Sequence, residues 1–102
     1  MMNRKMLKQA QELQKQMLQV QQEVESSSVE ATSGGGVVTV RVTGKMTLES
    51  LKISKDVVDP EDVEMLEDLV QAAINEGLSK AQQMASEKMN AVTGGMNIPG
   101  LS

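Results

Sequence analysis

The 102-residue sequence contains no cysteine, no histidine and no aromatic residue, and only two prolines. Each absence removes a class of chemistry. Without cysteine there are no disulfides and no thiolate nucleophiles. Without histidine there is no imidazole base, and with both missing the usual zinc ligands are gone. Lacking Phe, Tyr and Trp, the chain cannot stack unpaired bases on rings, the main contact of single-strand binders. Any role on nucleic acid has to rest on charge and shape. No apolar run approaches the length of a membrane span, and Arg4-Lys5 is followed by a Gln-rich amphipathic pattern rather than an apolar signal segment. These features predict a soluble cytosolic protein of one domain that holds no metal and no cofactor.

Charge is ordinary in amount but unevenly placed. The net charge is -4, which counts against an indiscriminate polyanion binder. Residues 1–20 nevertheless carry Arg4, Lys5, Lys8 and Lys15 against Glu12 alone. Residues 56–68 carry seven acids and no base, from Asp56 to Asp68. The chain therefore has a basic end and an acidic middle.

In the basic end, Met6, Ala10, Leu13, Met17, Val20 and Val24 recur at alternating steps of four and three, the seam of a coiled coil or a long packed helix. A helix from about Asn3 to about Ser26 would be roughly 36 Å long at ~1.5 Å per residue. That length exceeds what a small globule can flank, so the helix is expected to project or to pack against another chain. At ~100° per residue, Arg4, Lys8 and Lys15 fall within about 40° of one another, opposite the seam, with Lys5 to one side. So placed, they can reach phosphates. Leu7 and Leu18 sit outside the seam and suit core or dimer packing.

After Ser26-Ser27-Ser28 the period changes to two. Val29 and Ala31 alternate with polar residues; Gly34-Gly35-Gly36 supplies a turn; Val38, Val40 and Val42 alternate with Thr39, Arg41 and Thr43; and Leu51 and Ile53 share one face of Thr47 to Ser54. This predicts a three-stranded antiparallel meander with one face buried. The glycine triplet lacks the following Lys-Ser/Thr of a phosphate loop and joins strands rather than opening a helix.

Asp59-Pro60 predicts a second helix with Asp59 as N-cap and Pro60 at its first position, which places much of the acidic run in a positively polarised first turn. The run also lacks calcium-loop spacing. Val63, Leu66, Val70, Ala73, Gly77, Ala81 and Met84 carry that helix on to about Met89, with Gly77 a weak spot unless close packing requires it. The expected unit covers 1–92, followed by a flexible Gly- and Pro-containing tail over 93–102. Only Ser, Thr and Lys remain as nucleophiles, with nothing to activate them, so no enzyme is expected. Nine methionines suit filler in a core without aromatics.

Taken together, the Met- and Gln-rich basic first helix, GGGVVTVRVTG at Gly34 to Gly44, VVDPEDVEMLEDLVQAAIN at Val57 to Asn75, and GGMNIPGL at Gly94 to Leu101 resemble the bacterial YbaB/EbfC family of nucleoid-associated DNA-binding proteins. The resemblance implies an α+β fold of long N-terminal helix, three-stranded antiparallel sheet and long C-terminal helix. It also implies a homodimer in which the strands of two subunits join in a central sheet and the terminal helices project like tweezers. It further implies binding of duplex DNA with low sequence specificity, a change in DNA conformation, and a part in nucleoid organisation and gene regulation. The contacting positions would be Arg4, Lys5, Lys8 and Lys15, with Lys80 and Lys88 on the second helix as further candidates. A function of another class is a coiled-coil interaction protein or prefoldin-like holdase, with Leu7, Leu18 and the methionines as client surface. DNA binding that is lost when the four first-helix bases are removed separates the two.

Overall fold

The computed structural model of the chain describes residues 3–93. Its elements run α1 (Arg4–Ser26), β1 (Ser28–Ser33), β2 (Val38–Thr43), β3 (Leu48–Ile53), a short 3-10 turn (Lys55–Val57) and α2 (Val63–Thr93). This is the α+β order expected from the sequence. Of the expected tail, Thr93 belongs to α2 and the rest lies outside the described residues.

The first helix begins where a side chain can satisfy its free amides. Asn3 Oδ1 accepts from the Met6 backbone N–H at 2.8 Å. At the other end the hydroxyls of Ser26 and Ser27 donate to the Glu23 carbonyl, at 3.1 and 2.6 Å. The serine cluster therefore closes the helix as well as lowering its propensity.

The sheet is antiparallel in the order β1-β2-β3. Its register puts Ala31 opposite Val40 and Val29 opposite Val42 on one side, and Leu51 opposite Val40 and Ile53 opposite Val38 on the other, with a bulge at Arg41/Val42. Partners across a ladder share a face, so the three β2 valines, Ala31, Leu51 and Ile53 all point one way. All three glycines of the β1–β2 turn take positive φ, from 60° to 99°, which explains the triplet without any ligand.

The second helix lies across that face, but over β1 and β2 only. Ser33 Oγ donates to the Leu69 carbonyl at 2.6 Å, and further along Lys88 Nζ donates to Ser27 Oγ at 3.0 Å. The helix thus runs back along β1 and on past its start, beside the base of α1. Ala73 and Ala81 are fully buried against Val38, Val40 and Val42, and Gly77 lies between them, so a stripe of small residues lets the helix sit close to the sheet. A β-carbon at Gly77 would stand 2.8 Å from Val42 Cγ2 and 3.0 Å from Val40 Cγ2. Close packing therefore requires this glycine.

Two expectations are corrected. Asp59 does not cap α2: its Oδ1 accepts from the Glu61 N–H at 2.9 Å within a turn, and Asp62 Oδ1 caps the helix by accepting from the Met65 N–H at 3.2 Å. Pro60 sits in that turn instead of opening the helix. The buried face of the sheet also stops short of β3, where every residue is exposed. Among the described residues no second layer covers that third of the sheet.

Candidate nucleic-acid interface

The described residues measure 71 × 26 × 17 Å, with a radius of gyration of 19.8 Å against about 13 Å for a compact chain of this length. The extension comes from α1. Its seam is buried at Val24, half-buried at Val20, Met17 and Leu13, and exposed at Ala10 and Met6. The base packs on α2, while the outer turns stand free as an arm.

On that arm Arg4, Lys5, Lys8 and Lys15 are all exposed. Among the described residues the one ion pair joins Arg41 to Glu30 at 3.7 Å, so none of the four is neutralised by a neighbouring carboxylate. Arg4 to Lys15 covers about 16 Å of helix axis, and the helix diameter of about 10–12 Å matches the roughly 12 Å width of a major groove. The sector that carries Arg4, Lys8 and Lys15 also holds Gln11, Gln19, Gln22 and Ser26 and no acid. Amide side chains there can donate to phosphate oxygens.

The structure does not bring Lys80 and Lys88 to this line. Lys80 Nζ donates to the Glu30 carbonyl at 3.3 Å, and Lys88 Nζ to Ser27 Oγ. Each ammonium thus uses one of its three donors in seating α2, Lys80 against β1 and Lys88 against the junction of α1 and β1. A lysine that no periodicity marks, Lys45 in the β2–β3 turn, does lie beside α1, where it lines a hollow of about 300 Å³ with Gln22, Glu25 and Ser26. Only the strand register, which folds the hairpin tip back onto the helix, would have revealed it.

The acids stand at the opposite end. Since Leu69 is level with Ser33 and Lys88 with Ser27, the start of α2 and its acidic run lie farthest from the arm. Among the described residues no three of these carboxylates gather into a metal-holding group. Phosphates approaching the arm are thus kept clear of the strongest repulsion in the chain.

Next to the acidic run lies an apolar groove of about 550 Å³ between β3 and α2, lined by Leu51, Ile53, Leu66, Val70 and Ile74. With Leu48 and Leu51 at 41 % exposure, it has the composition of a core that lacks one wall. Among the described residues no helix is long and apolar enough to cross a membrane.

The fold and its free surfaces define a small α+β protein whose candidate site is a cation-bearing arm rather than a cavity. Residues 1–96 match the YbaB/EbfC DNA-binding family, and the chain belongs to that family. It is 54 % identical over 96 residues to a nucleoid-associated protein of Alkaliphilus metalliredigens, covering 94 % of this chain and 84 % of that one. A nucleoid-associated protein of Clostridium acetobutylicum is 51 % identical over 96 residues, covering 94 % and 86 %. Among solved structures, an uncharacterized protein of Helicobacter pylori shares the fold, with a TM-score of 0.68 at 23 % identity over 85 % of this chain and 92 % of that one.

Proposed function

We propose that this chain is a nucleoid-associated protein that binds duplex DNA as a homodimer through the exposed bases of α1. The observation that carries the reading is the unpaired line of Arg4, Lys8 and Lys15 on a projecting helix of an otherwise acidic chain. The family and the names of the relatives support it. Contacts of this kind go to phosphates, so they carry little sequence information, and an arm held along a groove can change the local path of the duplex. Nucleoid organisation and an effect on transcription follow from that. The working location is the nucleoid.

The groove between β3 and α2 supports the homodimer, as an apolar surface that a second copy would cover. A subunit that meets this one along β3 would cover Leu51, Ile53 and the apolar side of α2, and would double the number of arm bases per particle. A mobility-shift titration over a salt series tests the reading. The expected result is a shift at low salt that fades steeply as salt rises and disappears when Arg4, Lys5, Lys8 and Lys15 are changed to Ala together. No shift at low salt, or one indifferent to that variant, rejects it.

Exposed Met6, Leu7 and Leu18, at 52 %, 46 % and 55 %, favour a second reading as a holdase. Suppression of client aggregation that is lost on changing Leu7 and Leu18 to Gln, without DNA binding, would establish it.

A further inference from the structure

The basic face of α1 ends at Lys15 in sequence but not in space. Continued toward the sheet, the acid-free sector that holds Arg4, Lys8 and Lys15 reaches Gln22 and Ser26. These are the α1 residues that, with Glu25, line the hollow beside Lys45. Lys45 is exposed, and the one ion pair among the described residues does not involve it.

The turn that carries Lys45 is fixed to the base of the arm at several points. The Gly44 N–H donates to the Ser27 carbonyl at 3.0 Å, and a β-carbon at Gly44 would overlap the Val24 carbonyl oxygen, so the turn abuts the last turn of α1 directly. Thr43 Oγ1 accepts from the N–H of Lys45 at 3.2 Å and of Thr47 at 3.4 Å. Met46 takes a left-handed φ of 63°, which a non-glycine residue adopts only where its surroundings impose it. The position of Lys45 is therefore set by the fold, with only its side chain left to move.

We infer that Lys45 is a DNA-contacting residue that extends the Arg4, Lys8 and Lys15 line as its fourth cation, supplied to the arm by the sheet. The inference rests on α1 being the DNA contact and extends that surface. From Arg4 to the level of Ser26 the line covers about 33 Å of helix axis, close to the roughly 34 Å of one duplex turn. Steps of about 6 Å from Arg4 to Lys8 and 10 Å from Lys8 to Lys15 are followed by one of about 10–16 Å to the hollow that Lys45 lines between Gln22 and Ser26. Glu25 borders the same hollow and opposes phosphate approach there.

The test uses full-length chain on one duplex, with affinity followed over a salt series for Lys45→Ala, Lys52→Ala, Glu25→Gln and the triple Arg4→Ala, Lys8→Ala, Lys15→Ala. Lys52 lies between Leu51 and Ile53 on β3 and so faces away from α2, which makes it a control for loss of one charge elsewhere. Lys45→Ala is expected to weaken binding roughly tenfold at 50 mM salt and to make the salt slope shallower by about 0.9 for each protomer engaged. Glu25→Gln should tighten binding, and Lys52→Ala should leave the slope unchanged. If Lys45→Ala titrates like Lys52→Ala while the triple variant weakens binding, the inference is overturned and the arm reading stands. If the triple variant binds like the parent, the arm reading itself fails.

Discussion

Gly77 shows how a residue's surroundings can reverse its intrinsic preference. In an exposed helix, replacing glycine by alanine gains up to about 1 kcal/mol. Here the added methyl would press on Val40 and Val42, both fully buried on the central strand and stiff at χ1 because they are β-branched. Overpacking of that kind costs about 1–3 kcal/mol. Gly77→Ala is therefore expected to lower the thermal midpoint by several degrees in a calorimetric scan, the opposite of the propensity scale. The sequence marks the glycine as an anomaly in a regular helix. Which side chains demand it depends on contacts between positions about 35 residues apart, which no local pattern records.

Among the elements, α1 and β2 were legible in the sequence because their periods are long and clean, 3.5 for the seam and 2 for the valines. The start of α2 was not. Asp59-Pro60-Glu61-Asp62 offers two aspartates that can each accept a backbone amide, and the rule favouring proline at the first helical position selects the wrong one. In the structure Asp59 spends its carboxylate on the turn, and Asp62 meets the Met65 N–H. Asp62→Ala should thus cost about 1 kcal/mol in chemical denaturation, the usual loss for an N-cap, and Asp59→Ala distinctly less. The candidate site was legible to the same uneven degree. Arg4, Lys8 and Lys15 could be aligned from helical spacing alone, whereas the engagement of Lys80 and Lys88 with β1 and Ser27 needs the path of α2 across the sheet. For the arm as an element, each lysine contact removed should flatten the salt dependence of DNA affinity by about 0.9, or about 1.8 if two copies engage the duplex. Lys8→Ala is the direct measurement, because Lys8 is exposed and its loss leaves the core untouched.

At the scale of the molecule, the surface that counts is the one a single chain leaves unfinished. The sheet face above β3 carries Leu48, Leu51 and Ile53, yet α2 covers only β1 and β2, and Val63 and Met65 at the head of α2 are 50 % and 40 % exposed. Fully burying an exposed side chain of this size contributes about 1.5–3 kcal/mol, and these are already half or more covered, so a partner that supplied the missing wall would add about 1 kcal/mol at each. A second copy would carry the matching surface if the two met about a two-fold axis, where a contact is self-complementary. The strand pattern of β3 foretold an apolar face, but not that α2 would leave it uncovered, because alternation records which side is apolar and is silent about what buries it. Light scattering is expected to give twice the 11.0 kDa mass of the chain. Leu51→Asp with Ile53→Asp should halve that mass, since each carboxylate would be desolvated at the contact. The same variant should flatten the salt dependence of DNA binding toward the value for one arm, from about 7 to about 3.6 if all four bases engage. A variant that stays dimeric would place the subunit contact elsewhere, and one that becomes monomeric with an unchanged slope would show that a single arm carries the binding.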